Sequence, residues 1–307
     1  MMKRHTALIT VIALIGLPAA VAAVEAVRYF VTNRSTSTIV SSGLTREYIL
    51  YVPPTYDRTR PTPLVISMHG AIMWPAAHQD TSQWNRVADR EGFIVVYPSG
   101  LTGDGPRHWE ATPNDAPSRD VAFIGDLIDT LGRTYNIDPA RIYANGLSNG
   151  GGMTFVLSCR MSDRIAAVGL VASAQLLPWS SCADDRPVPM INFHGTADLA
   201  PYDGGKSWVA PQTLPSMPGW TANWARRNRC GPTPIESRIA ADVRRTEYTG
   251  CAGHAAAMLY TIEGGGHTWP GGGDLPEWFA GTTTHTIDAS SVMWEFFKEH
   301  PLRPRAP

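Results

Sequence analysis

Residues 143–153 read YANGLSNGGGM, four glycines set around a single serine. Glycine loses more conformational freedom on folding than any other residue, so a cluster this dense marks a backbone led where other residues cannot follow. The stretch before it, DPARIYANG, reads as a turn and a short strand, and the stretch after it, GGMTFVLSCRM, reads as a helix. Gly146-Leu147-Ser148-Asn149-Gly150 is therefore a G-x-S-x-G sequence at a strand-to-helix turn, the setting of a nucleophile elbow. Such a turn holds its serine in a strained conformation above a sheet, and the helix that follows points N–H groups and positive dipole at the same place.

The rest of the chain agrees with a sheet of that kind. PLVISMHG and GFIVVYPSG are short continuous apolar runs closed by glycine or proline, the pattern of parallel strands covered on both faces. SQWNRVADREG has helical spacing and a terminal glycine, and VAFIGDLIDTLGRTY sets Val121, Ile124, Leu127, Ile128 and Leu131 along one stripe. Farther on, IAAVGLVASA, VPMINFHG and HAAAMLYTIEGGGH read as strands, GWTANWARRNRC as a helix, and DASSVMWEFFKEH as a final helix capped by Asp288. This alternation predicts one α/β domain over residues 44–307, built on a doubly wound, mostly parallel sheet.

Ahead of that domain, MMKRH is a short cationic head and Thr6–Val24 a 19-residue apolar run ending near the small-residue pattern Ala20-Val21-Ala22. Residues 1–24 fit a cleaved signal peptide, and the run is also long enough to act as an uncleaved membrane anchor. Both readings place the domain outside the cytoplasm, secreted or periplasmic. Residues 25–43 read as a polar linker. Four cysteines suit an oxidising compartment; they allow three pairings, of which Cys159 with Cys182 and Cys230 with Cys251 close the shortest loops. A formal net charge of −1 leaves no basic excess for nucleic acid. Contact with a membrane is expected only through a retained N-terminal segment.

A serine hydroxyl needs a base to take its proton and a third group to orient that base. In a sheet of this type the chain order is serine, acid, histidine, with the residues at the carboxyl ends of strands. Asp198 lies just past the VPMINFHG strand, with Asp203 as a rival acid, and His267 sits in a glycine-rich loop directly after another strand. The remaining candidates, His69, His194, His254 and His285, lack that position. An oxyanion needs two donors: the backbone N–H of Asn149, and one from the loop leaving VISMHG, Ala71, with Ile72 as the alternative. Trp74 beside that loop and Trp269 beside His267 are expected to line a cleft, core packing being the equally common use of tryptophan.

LVISMHG, VAFIGDLIDTL, IYANGLSNGGGM, HGTADLAPYDGG and GGGHTWPGG, in that order, resemble the secreted polyhydroxybutyrate depolymerase and feruloyl esterase group of α/β-hydrolases over roughly residues 45–300. The resemblance implies the α/β-hydrolase fold, a Ser148, Asp198 and His267 triad, oxyanion donors at Asn149 and Ala71, and no metal or organic cofactor. It also implies a carboxylic ester substrate, of polyhydroxyalkanoate type or a feruloyl or aryl ester of polymeric or plant cell-wall origin. Many members carry cysteine directly after the His-Gly pair where this chain has Ala71, so a disulfide found there in relatives cannot form here. The alternatives on the same scaffold are a serine peptidase or other acyl hydrolase, and a non-catalytic extracellular binding protein.

Overall fold

The computed structural model describes residues 37–303 apart from 103–106, 112–117, 183–185 and 208–209. The signal or anchor segment expected at 1–24 and the first part of the linker lie outside the described residues. The end of that linker forms structure: β1 (Ser37–Ser41) pairs antiparallel with β2 (Leu44–Tyr51) through a turn at Ser42 and Gly43, both at positive φ. β1 is short, polar and alternates in exposure, so composition alone reads it as linker.

The apolar runs fold as expected. β3 (Thr62–Met68) and β4 (Ile94–Pro98) are buried at every position, as strands covered on both faces must be. With β5 (Ile137–Leu147), β6 (Ala167–Val171) and β7 (Met190–Gly195) they form a parallel set, ordered β4-β3-β5-β6-β7. Beyond β7 lie β12 (Ala257–Ile262), also parallel, then β11 (Val243–Tyr248) and β10 (Ile235–Ala240), both antiparallel. A ribbon of β8 (Gly205–Ser207) and β9 (Ala210–Leu214) stands apart from this sheet. The sequence reading lacks β8 to β11; β10 is mostly exposed and β11 mostly half-buried, and neither carries a continuous apolar run.

Helices cover both faces. α1 (Pro75–Ser82), α2 (Trp84–Glu91) and α7 (Ala289–Glu299) pack on one side, where Trp84, Val87, Trp294 and Phe297 meet Val65, Val95, Tyr97 and Tyr143. On the other, α3 (Arg119–Thr134), α4 (Asn149–Arg160) and α5 (Met217–Arg227) place Phe123, Leu127, Phe155, Trp220 and Trp224 over Leu64, Ile66, Ile94 and Val96. Successive residues of β3 and β4 thus serve opposite cores, the period of two expected of a pleated strand. The ends follow the sequence signals. Gly92 closes α2 at φ 76°, and the Ser291 N–H donates to the Asp288 carboxylate at 3.0 Å at the head of α7. α6 (Glu277–Ala280) is a single turn.

Of the three cysteine pairings, the two shortest loops are the ones closed: Cys159–Cys182 and Cys230–Cys251, with sequence separations of 23 and 21. Loops of that size contribute about 3 kcal/mol each by restricting the unfolded chain. None of the described helices is long and apolar enough to cross a membrane.

Candidate active site

β5 ends at Leu147 and α4 begins at Asn149, so Ser148 is the whole of the turn. It sits at φ 54°, ψ −118°, a conformation costing a non-glycine residue on the order of 1–3 kcal/mol. Its own peptide is pinned: the Ser148 N–H donates to Val171 O at 2.8 Å, and its carbonyl accepts from the Gly152 N–H at 3.0 Å. The flanking glycines are needed for clearance. A Cβ on Gly146 would stand 2.4 Å from the Gly150 carbonyl carbon, and one on Gly150 2.3 Å from Met68 O. Strand and helix can therefore cross at this angle only if both positions lack a side chain.

Directly beside the serine runs the loop leaving β3. A Cβ on Gly70 would lie 3.5 Å from the Ser148 Cβ. Ile72 donates its N–H to Arg107 O at 2.7 Å, while the Ala71 N–H has no backbone acceptor among the described residues. Of the two candidate donors from this loop, Ala71 is therefore the one left available. Asn149 opens α4, where the first N–H groups have no intrahelical partner. Its side chain does something the sequence did not reveal: Oδ1 accepts the Trp109 N–H at 2.7 Å and Nδ2 donates to Trp109 O at 3.2 Å. Trp109 in turn donates its indole N–H to His69 O at 2.9 Å. The residue after the nucleophile thus clamps a loop against the strand end that carries Ala71.

His69 is fully buried beneath this loop. Its Nδ1–H donates to Gly70 O at 2.7 Å and its Nε2 accepts the Gly100 N–H at 2.9 Å, which requires the neutral ring. Burial pushes its pKa down to about 3. It is a brace for the loop and has no free nitrogen for proton transfer.

Asp198 and His267 come from the turns after β7 and β12, adjacent parallel strands. His267 Nδ1–H donates to Asp198 Oδ1 at 2.7 Å, and the Ala200 N–H donates to the same oxygen, also at 2.7 Å. The carboxylate is fully buried and the imidazole 12% exposed. Asp198, and not the rival Asp203, is the acid that meets the histidine. Burial by itself pushes the Asp198 carboxyl up, but the His267 hydrogen bond, the neighbouring His194 and the Ala200 N–H outweigh it, leaving it below the usual value. His194 lies 3.6 Å from Asp198 Oδ2 and donates its Nε2–H to Ala200 O at 2.8 Å; burial lowers its pKa. His285 pairs with Asp274, and His254 stands in a short 3-10 turn.

Ser148, His267, Asn149 and Ala71 line one cleft of about 750 Å³. Trp74 lines it as expected, with Ile72, Met73, Leu176 and Phe279. Trp269 does not. It is fully buried, its indole N–H bonded to Ser290 Oγ at 3.0 Å and its ring edge-on to His78, so it is a core residue behind the histidine loop. The chain bends at His267 and Thr268, so the histidine reaches the cleft while the tryptophan turns away from it.

Comparison with known proteins gives a consistent result. Residues 46–181 match a family model described as esterase PHB depolymerase. Feruloyl esterase B of Piromyces equi is 31% identical over 229 residues, 72% of this chain and 42% of that protein. Poly(3-hydroxybutyrate) depolymerase of Ralstonia pickettii is 26% identical over 263 residues, 76% of this chain and 52% of that protein. The chain thus spans about half the length, or less, of these two relatives. Among solved structures, acetyl xylan esterase from Aspergillus awamori superposes with a TM-score of 0.61 at 16% identity, covering 86% of this chain and 98% of that one; at this identity the likeness speaks for the fold.

Proposed function

Because this chain belongs to the polyhydroxybutyrate depolymerase and feruloyl esterase family of α/β-hydrolases, we propose that it is an exported serine esterase acting through an acyl-enzyme on Ser148. The observation that carries this reading is the His267–Asp198 pair at 2.7 Å, opening onto the same cleft as a serine held at positive φ. Nothing in ordinary loop packing calls for that combination.

In the proposed reaction the Nδ1–H bond to Asp198 fixes the His267 tautomer and leaves Nε2 to take the Ser148 proton. The serine oxygen then attacks the ester carbonyl, and the N–H groups of Asn149 and Ala71 receive the oxyanion. The proton moves from His267 to the departing alcohol. Water, deprotonated by the same imidazole, splits the acyl-enzyme and returns the serine. Substrates of this class are carboxylic esters of polyhydroxyalkanoate type or feruloyl and aryl esters tied to a polymer, and the apolar wall at Trp74 and Phe279 suits either. Export through the N-terminal apolar segment fits the two disulfides.

The test is hydrolysis of 4-nitrophenyl acetate and methyl ferulate by the purified protein, together with labelling by a fluorophosphonate. Label is expected on Ser148 alone, and Ser148→Ala should lower kcat by about 10⁶ with an unchanged circular dichroism spectrum. Faster cleavage of a matched anilide than of the ester would move the protein to the peptidases. Neither label nor turnover would make it a binding protein on an esterase scaffold.

A further inference from the structure

The run Gly271-Gly272-Gly273, just after the catalytic histidine, has no part in the chemistry above. Its use is geometric: a Cβ on Gly272 would lie 2.1 Å from Thr81 O, and one on Gly273 2.8 Å from Asp80 O. The Gly273 N–H donates to Thr81 O at 2.9 Å. Side-chain-free backbone is thus pressed onto the end of α1, and this seam brings Asp80 and Asp274 together on the wall of the cleft that holds Ser148 and His267. Asp80 has no ion-pair partner among the described residues. Asp274 meets His285 at 3.0 Å, in a pair largely open to water. Among the described residues no lysine or arginine lines the cleft; apart from His267 the other lining residues are uncharged and mostly apolar. Both residues line the same cleft as Ser148 and His267, and at 10 mM salt the Debye length of about 30 Å lets their charges act across it.

We propose that Asp80 and Asp274 give the cleft its charge selectivity: it takes uncharged esters, rejects ligands that carry a carboxylate, and sheds the acid it makes. The proposal rests on the esterase reading and specifies its substrate class. Hydrolysis adds the hydroxyl of water to the acyl carbon and a proton to the serine oxygen. The released acid then loses its proton to solvent, so each turnover creates an anion in a cleft that already holds two. Repulsion costs nothing for the neutral ester and favours departure of the product. It also disfavours esters with a free carboxylate on the part seated against this wall, such as short acid-terminated oligomers, relative to internal ester bonds of a neutral chain.

The experiment uses ligands of one shape and two charges. Calorimetric titration of the full-length protein with cinnamamide and cinnamate, at 10 mM salt, is expected to give about fivefold weaker binding of the anion. Asp80→Asn with Asp274→Asn should bring the two affinities together, as should 500 mM salt. Equal affinities in the unaltered protein, or a difference that survives the double substitution, overturn the proposal and leave the esterase reading standing. In the kinetic arm, 4-nitrophenyl hexanoate is compared with mono-4-nitrophenyl adipate. The ratio of their kcat/KM should fall about fivefold in the double variant. An unchanged ratio would also refute the charge selectivity, whereas failure to hydrolyse either ester, with the titration result intact, would refute only the esterase reading.

Discussion

The two halves of the proposed active site are held in different ways. On the serine side the close approaches lie within or directly under one turn: Gly146 against Gly150, Gly150 against the end of β3, all between a fully buried strand and a buried helix. On the acid and histidine side they join loop to loop. A Cβ on Gly195 would meet Gly265 O at 2.0 Å, and one on Gly266 would meet Ala280 O at 2.1 Å. The His267 N–H donates to Ala280 O at 2.5 Å, so the histidine loop leans on α6, a single turn with an exposed face. One half is a local motif clamped in the core; the other is an assembly of loops. The first should be intolerant of any change, and the second should lose alignment before it loses fold.

Within the loop half, the largest effect is expected where it carries the proposed chemistry. Asp198→Asn should keep the fold and lower kcat about 10⁴-fold, because Oδ1 no longer fixes the His267 tautomer; full activity in this variant would remove Asp198 from the proposed triad. Next comes the direct contrast. Gly150→Ala forces a methyl into the carbonyls of Met68 and His69 and should cost about 3 kcal/mol or more, read as a fall in the denaturation midpoint. Gly195→Ala presses on the Gly265 carbonyl, which belongs to a loop and not to a strand, so it should cost less stability and more kcat. Equal stability losses would break the distinction between the halves.

A third measurement follows from two buried histidines of the serine half, His69 and His78, each fully buried and pushed by burial to a pKa of about 3 from 6.5. Above pH 6.5 both native and unfolded chains hold them neutral. Between 6.5 and 3 the unfolded chain takes a proton that the native state refuses, so stability falls with falling pH, by about 2 kcal/mol per histidine at pH 5. His78→Gln, which keeps a donor toward Ser67 Oγ, should flatten the curve of melting temperature against pH over that window. An unaltered slope would mean that this ring is not the group being protected. The smallest effect is a gain: Gly132 lies inside α3 with open space where a methyl would go, nothing standing within 4 Å of that position, and Gly132→Ala should raise stability by about 0.5–1 kcal/mol.

How far the sequence reaches follows the same division. The elbow is legible because its requirements are contiguous: a buried run, glycines at fixed offsets, one serine, a helix. Ser148, the strand-to-helix turn and the parallel strands β3 to β7 can be read in advance for that reason. His267 and Asp198 are legible by chain order and by position after strands. Trp269 defeats the sequence reading because nearness in sequence does not say which way a side chain points, and the structure turns it into the core against Ser290. The Asn149–Trp109 clamp and the polar strands β10 and β11 leave no pattern, since one depends on a loop 40 residues away and the others carry little apolar surface.

By itself, then, the sequence determined the alternation of strand and helix, the elbow, and the order of the three site residues, because burial periodicity and glycine sterics act over a few residues at a time. Only the tertiary structure decided that Asp198 and not Asp203 faces His267, that Ala71 and not Ile72 keeps a free N–H, and that two aspartates share the cleft wall. Each of those outcomes is fixed by backbone meeting backbone across distant parts of the chain. Such meetings are set by how the loops at the carboxyl end of the sheet pack together, and no short stretch of sequence encodes them.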